Sequence, residues 1–222
     1  MAAANPHSFL HVVKAEIDLD PGVDTHCDPV YERSAANYRG LITDGVLRRD
    51  EADCFYIYRL EMDGHAQHGL VAGCSVDEYE QGRIKKHEFT RRDKEDDRAH
   101  HVEILKANAG PCLFTYRAEA EIKALVEKLV AAGKPDTDFT ADDGVRHTLW
   151  VIDEAADVAA VRSAFEAVDA IYVADGHHRT ASALRVRDIM KSANPAHAGD
   201  EAYNHFLAVL FPDDELQLMG YH

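Results

Sequence analysis

The stretch Asp169-Ala-Ile-Tyr-Val-Ala-Asp-Gly-His-His-Arg-Thr-Ala-Ser-Ala-Leu184 constrains the fold of this chain more than any other. Ala170 to Ala174 is a short apolar run of the kind found in buried central strands. Arg179 to Met190 has helical periodicity, with Ala183, Val186 and Met190 on one side. A strand must therefore turn into a helix within Asp175-Gly-His-His-Arg179. His147-Thr-Leu-Trp-Val-Ile-Asp153 reads as a strand and Ala156 to Val168 as a helix, so a βαβ-like succession leads into that turn. The class this implies is α/β, a mixed sheet with flanking helices.

The turn also carries the chemistry. Gly176 lets the backbone turn tightly and approach a ligand with no Cβ in the way. A helix start presents unpaired N–H groups and the positive end of a dipole, which attract anions. Arg179 adds a fork of donors suited to phosphate or carboxylate oxygens, and His177 and His178 add two imidazoles. These features read as an oxyanion or phosphate cradle made by Gly176, His178, Arg179 and Thr180, with Asp175 and His177 as candidate catalytic groups. The competing reading makes Asp175 a helix cap and the histidines partly exposed polar residues.

With 24 basic and 40 acidic residues the formal charge is −16, which argues against general affinity for a nucleic acid backbone. An anion site on such a chain has to be built locally from Lys, Arg, His and backbone N–H groups. No apolar run approaches the roughly 20 residues of a membrane helix, and Met1-Ala-Ala-Ala-Asn5 lacks the pattern of a secretory signal. Cys27, Cys54, Cys74 and Cys112 lie far apart without paired spacing and read as reduced structural thiols, which places the protein in the cytoplasm.

Along the chain, Asn5-Pro6 marks a turn and Ser8 to Val13 follows as a strand. A core strand this close to Met1 points to the central part of a longer protein, so residues 1–222 are expected to form one incomplete globular domain, with a sub-boundary near 133–146. Pro29 opens a helix with Tyr31, Ala35, Tyr38 and Ile42 at i, i+4, i+7 and i+11, and Asp44-Gly45 ends it. Phe55 to Met62 and Gly69 to Val76 form a hairpin, with His65 and His68 in its loop as solvated turn residues. Phe114 to Arg117 is a strand, Ala118 to Ala132 an amphipathic helix, Asp136 to Gly144 an acidic loop and Phe206 to Phe211 a strand. A further strand begins at Met219-Gly-Tyr-His222. Trp150 is a core residue, and His147 is placed to face the site.

A second stretch, Ile84 to His101, is densely charged. Thr90 followed by Asp93 starts a helix that runs from about Arg91 to Asn108, where Ala109-Gly110-Pro111 stops it. Arg91, Lys94, Arg98 and His101 fall on one face at i, i+3, i+7 and i+10. Such helices are commonly solvated surfaces laced with i,i+4 pairs. Leu105, however, shares the side of the basic stripe, and cations beside a core edge need an anionic partner. Just upstream, Lys86-His87-Glu88 supplies a cation and two candidate proton acceptors.

Taken in order, Asn5-Pro6-x-Ser8-Phe-Leu-His11, Lys86-His-Glu-x-Thr-Arg91 with Asp93-Lys-Glu95 and Asp97-Arg98, Gly110-Pro111 with Thr115-Tyr-Arg117, His147-x-Leu-Trp150 and Tyr172-Val-Ala-Asp-Gly-His-His-Arg179 resemble the domain of unknown function 1015 family. The Asp-Gly-His-x-Arg turn is also distantly similar to the phosphate-binding box of the ParB and sulfiredoxin-like superfamily, which includes free serine kinases. That resemblance implies a phosphotransferase with L-serine as acceptor and pyrophosphate, ADP or ATP as donor. Asp175 to Arg179 would be the phosphate box, and Mg²⁺ would sit on phosphate oxygens with Asp175 as a ligand. Lys86, Arg91, Lys94 and Arg98 would meet phosphate charge. Glu88, aided by His87, is assigned the role of base by its chemistry alone. The same box would serve a non-catalytic module that binds a nucleotide or phosphorylated metabolite. Binding of nucleic acid by analogy with ParB is disfavoured by the charge, and a metal hydrolase using His100, His101, His177 and His178 lacks a ligand spacing.

Overall fold

The computed structural model of the protein describes residues 4–217. Its helices and strands, in chain order, are α1 (Leu10–Val13), α2 (Asp28–Thr43), β1 (Phe55–Met62), β2 (His65–Ser75), α3 (Val76–Glu80), β3 (Ile84–Lys85), α4 (Arg92–Leu105), β4 (Cys112–Tyr116), α5 (Ala120–Ala132), β5 (Thr137–Thr140), β6 (Arg146–Ile152), α6 (Ala155–Glu166), β7 (Ile171–Asp175), α7 (His177–Ala193) and β8 (His205–Pro212). This is the mixed α/β class read from the sequence. The chain divides into two compact units: Met1–Asp50 with Phe89–Pro111 and His177–Phe206, and Glu51–Glu88 with Cys112–Gly176 and Leu207–His222.

The second unit carries the sheet, in the order β3-β7-β4-β8-β2-β1-β6-β5. β3 and β7 are parallel, as are β4 and β8, whereas β4 runs antiparallel to β7 and β1 antiparallel to both β2 and β6. Strand formers alternate along β6, burying Thr148, Trp150 and Ile152. With Ile57, Leu70, Leu129 of α5 and Val161 of α6, Trp150 and Ile152 make one core cluster. Each such side chain contributes roughly 1.5–3 kcal/mol by leaving water. The hairpin of β1 and β2 closes through Asp63 and Gly64, both at positive φ (52° and 78°), as a two-residue turn requires.

Several expectations fail in this unit. The hairpin loop is two residues long, so His65 and His68 lie within β2, held by the residue Glu215. The acidic loop contains β5, an exposed edge strand tied down where Arg146 donates to both carboxylate oxygens of Asp138. β6 and β7 do not form a βαβ pair, because β1, β2, β8 and β4 lie between them. Nor is β7 a buried strand: of its residues only Val173 is fully covered, since β3 beyond it is two residues long.

The first unit is helical. Val12, Ala35, Leu41 and Leu105 form its core, with Tyr38 and Ile104 packed against them. Ser8 to Val13 contains one helical turn, not a strand: burying Val12 against α2 and bonding His11 to Asp18 (2.7 Å) outweigh the strand propensity of the run. On α2 the buried stripe ends at Leu41 while Ile42 is exposed, one position off the predicted register. α4 starts at Arg92 and stops at Leu105, where Lys106 adopts a left-handed conformation (φ 57°). The strand read at 219–222 lies outside the described residues.

Candidate anion site at the start of α7

β7 ends at Asp175, Gly176 takes φ 101°, and α7 begins at His177. The helix therefore starts two to three residues earlier than its apolar periodicity indicates, and His177, His178 and Arg179 are its first turn. Asp175 is the last strand residue. The first turn of α7 contains no acidic residue, whereas that of α4 contains Asp93 and Glu95. Acids within the first turn of α4 offset the positive end of that helix, and the first turn of α7 supplies none of its own.

α4 and α7 pack side by side and run in the same direction. Ser182 Oγ donates to the Glu95 carbonyl (3.1 Å) near their starts, and Lys106 Nζ approaches Met190 Sδ (3.7 Å) near their ends. Arg185 fastens the starts by pairing with Glu95 and Asp96. Ser182 Oγ also lies 2.6 Å from the His178 carbonyl, one turn back. Within the same unit the Arg179 stem passes 3.8 Å from where a Cβ on Gly110 would sit, so the bare glycine lets the arginine lie close to the chain leaving α4. His178 Nδ1 is buried and makes no hydrogen bond among the described residues. His177 and Thr180 are buried on the inner side of the helix.

In the other unit, β3 pairs with β7 in parallel, Ile84 with Ile171 and Lys85 with Tyr172. Lys86, His87 and Glu88 consequently leave the sheet at the end where β7 delivers Ala174 and Asp175. All three are exposed, and Lys86 Nζ stands 4.8 Å from the centre of the Tyr79 ring. Cys112, at the start of antiparallel β4, reaches the same end, its Sγ 3.8 Å from the Gly176 carbonyl. The juxtaposition of the Lys86-His-Glu88 segment with Asp175 is thus a product of a two-residue strand.

The basic stripe of α4 is divided. Arg91 bonds both oxygens of Asp93 (3.2 and 2.7 Å). Lys94 and Arg98 line cavities with His26, Tyr31 and Asp97, on the side turned to α2. Asp97 and Glu95, two positions apart, are about 200° apart around the helix, so this side faces away from α7. Here sits a network that sequence reasoning did not find. Asp97 Oδ1 accepts from the Tyr31 hydroxyl (2.6 Å) and faces His26 Nδ1 (2.7 Å). Burial opposes the Asp97 charge, but these two donors outweigh it and hold the carboxyl below its ordinary pKa. Burial and then the bond to Asp97 raise the Tyr31 phenol.

His100 pairs with Asp28 (3.1 Å) and His101 Nε2 meets Ser34 Oγ (2.8 Å), itself donating to the Val12 carbonyl. Burial, followed by the Arg98 charge, lowers the pKa of His101. Among the described residues no group of three or more His, Cys, Asp or Glu side chains is arranged to hold a metal ion. His147, expected to face the site, instead bonds Tyr58 (2.6 Å) and stacks on Phe139, five strands from β7.

Over residues 1–222 the chain matches the family described as Protein of unknown function (DUF1015). It belongs to that family. No curated protein and no solved structure matches it. The DUF1015 chain has no helix among its described residues long and apolar enough to cross a membrane.

Proposed function

We propose that this DUF1015 protein is a small-molecule phosphotransferase of the free L-serine kinase type, with pyrophosphate or a nucleotide as donor. The observation that carries this reading is the acid-free first turn of α7, in which Arg179 and the buried, unengaged His178 Nδ1 accompany a positive helix end. Donor phosphate oxygens would take the N–H groups of that turn and the Arg179 fork. The resemblance of Asp175-Gly-His-His-Arg179 to the ParB-type phosphate box points the same way. Catalysis of this kind consists of positioning and charge neutralisation. The serine hydroxyl attacks the terminal phosphorus, its bond to the leaving phosphate breaks, and the hydroxyl proton passes to a carboxylate. Glu88 is our candidate for that base, with Lys86 as a neighbouring cation. Asp175, exposed at the strand end, suits Mg²⁺, which is commonly held by one or two carboxylates together with substrate phosphates.

The test is ³¹P NMR on the protein with L-serine, Mg²⁺ and, in turn, pyrophosphate, ADP and ATP. A phosphoserine resonance is expected with one donor. Arg179→Ala is expected to weaken donor binding about 10- to 100-fold, the loss of one charge-assisted bond, while the fold persists. Normal turnover by that variant would sink the assignment. Donor signals that broaden without turnover would favour a non-catalytic phosphometabolite-binding module.

A further inference from the structure

The second unit holds a cavity of about 470 Å³ between α5 and the ends of β4 and β8. Its walls are apolar, formed by Val126, Val130 and Ala131 of α5 facing Ala118 and Pro212. Its polar groups are markedly one-sided. Glu119, Glu127, Asp214 and Glu215 all line it, against the single cation Lys123.

Two groups inside are poised for a ligand. Tyr116 is 4 % exposed, yet its hydroxyl has no hydrogen-bond partner among the described residues. Its ring is fixed edge-on against Phe165, with centroids 5.1 Å apart. Burial, followed by the Glu215 and Asp214 charges, raises the phenol above its ordinary pKa, so it stays a neutral hydroxyl. Glu215 is fixed from behind. Its Oε2 accepts from the His68 backbone N–H (2.6 Å) and faces His68 Nδ1 (3.2 Å), and its carbonyl meets His65 Nε2 (2.6 Å). Its other carboxylate oxygen, Oε1, is left unengaged among the described residues.

We propose that this cavity binds an organic amine, a small molecule with an apolar body and a protonated primary amino head. The ammonium would donate to Glu215 Oε1 and to the Tyr116 hydroxyl oxygen, and the body would lie along Val126 and Val130. A phenol oxygen and a carboxylate lining one cavity both accept from N–H, whereas a carboxylate ligand would meet repulsion from four like charges. A cavity of this size with apolar walls and few convergent polar groups is the usual form of a small-molecule site. The proposal is independent of the phosphotransferase reading.

The probes are 2-phenylethylamine and its acidic counterpart 3-phenylpropionate, titrated into the ¹⁵N-labelled full chain at pH 7.5. The amine is expected to bind at about 1 mM, as suits a fragment of its size. It should shift the amides of Val126, Val130 and Glu215, and bind at least tenfold more tightly than the acid. Glu215→Gln keeps an oxygen for the His68 N–H and should weaken the amine about tenfold. Tyr116→Phe should weaken it severalfold and Lys123→Gln strengthen it. Equal binding of amine and acid, unchanged affinity in Glu215→Gln, or no amide shift at about 10 mM amine, tenfold above the expected affinity, would overturn the proposal.

Discussion

Gly69 sits in β2 opposite Tyr58, with β8 on its other side. A Cβ built there would stand 2.6 Å from Val209 Cγ1 and 2.7 and 2.8 Å from Phe211 Cζ and Cε1. Carbon atoms rest at roughly 3.5–4.0 Å, so both side chains would have to retreat by almost 1 Å. Neither has room: Val209 and Phe211 are both buried. Overpacking of this kind costs about 1–3 kcal/mol, and two displaced side chains place Gly69→Ala in the upper half of that range. The lower backbone entropy of alanine in a strand offsets roughly 0.5–1 kcal/mol, leaving a net loss of about 1–2.5 kcal/mol. Trp150, the only tryptophan, lies in the core of the same unit and reports its unfolding. With a urea slope of about 2 kcal/mol/M the midpoint should fall by about 1 M. The loss should shrink in a Val209→Ala/Phe211→Leu background, which removes the atoms the new methyl strikes. A wild-type midpoint for Gly69→Ala, or an undiminished loss in that background, would refute the steric argument.

Two further outcomes concern the helical unit. Tyr31→Phe removes a hydroxyl bonded to an ionised carboxylate and should cost about 1–2 kcal/mol, read as a lower denaturation midpoint; Asp97→Asn, which retains an acceptor for Tyr31, should cost less. Burial works against the Glu201 carboxylate, but the backbone N–H groups of Ala198 and Gly199 and the Asn204 amide hold its pKa down at about 2. A depressed folded pKa means the unfolded chain takes up the proton first. The stabilisation is therefore complete above the unfolded value of roughly 4.3 and is lost as pH falls toward 2. The midpoint difference between wild type and Glu201→Gln should accordingly be largest at neutral pH and shrink on acidification; a constant difference would contradict the assignment.

How much of this was legible in the chain follows from the range of the interactions involved. α5, β6 and the β1–β2 hairpin announce themselves because the side chains that they bury recur at 3.6- or 2-residue spacing within one segment. The strand–glycine–helix turn at Gly176 was legible for the same reason, but the start of α7 was not. Its first turn is His-His-Arg, polar residues that hydrophobic periodicity does not count, and Gly176 gives no side-chain cap to mark the boundary. Ser8 to Val13 misled because Phe, Leu and Val favour strands locally, and only the docking of Val12 on α2 decides for a helical turn. β3 is two residues long and exists through its pairing with β7, some 87 positions on. The Tyr31–Asp97–His26 network joins residues 66 and 71 positions apart, and no local pattern foretells it.

An anion site on a chain of charge −16 has one further physical consequence. At about 10 mM salt the Debye length is about 30 Å, so an approaching polyphosphate feels the repulsive field of the whole protein; at 150 mM it is about 8 Å, and only the nearest charges count. At the start of α7 Arg179, the histidines and helix N–H groups stand beside Asp175, and Asp93, Glu95 and Asp96 of α4 are bonded to Arg91, Thr90 and Arg185. Added salt should therefore screen the distant repulsion more than the close attraction. The association rate of a fluorescent ADP analogue, followed by rapid mixing, should rise between about 10 and 150 mM KCl and then level off. A basic groove of the nucleic-acid-binding kind behaves oppositely, losing affinity steeply over the same range. A rate that falls with salt would show that long-range attraction brings the ligand in, and the first turn of α7 would no longer account for the binding.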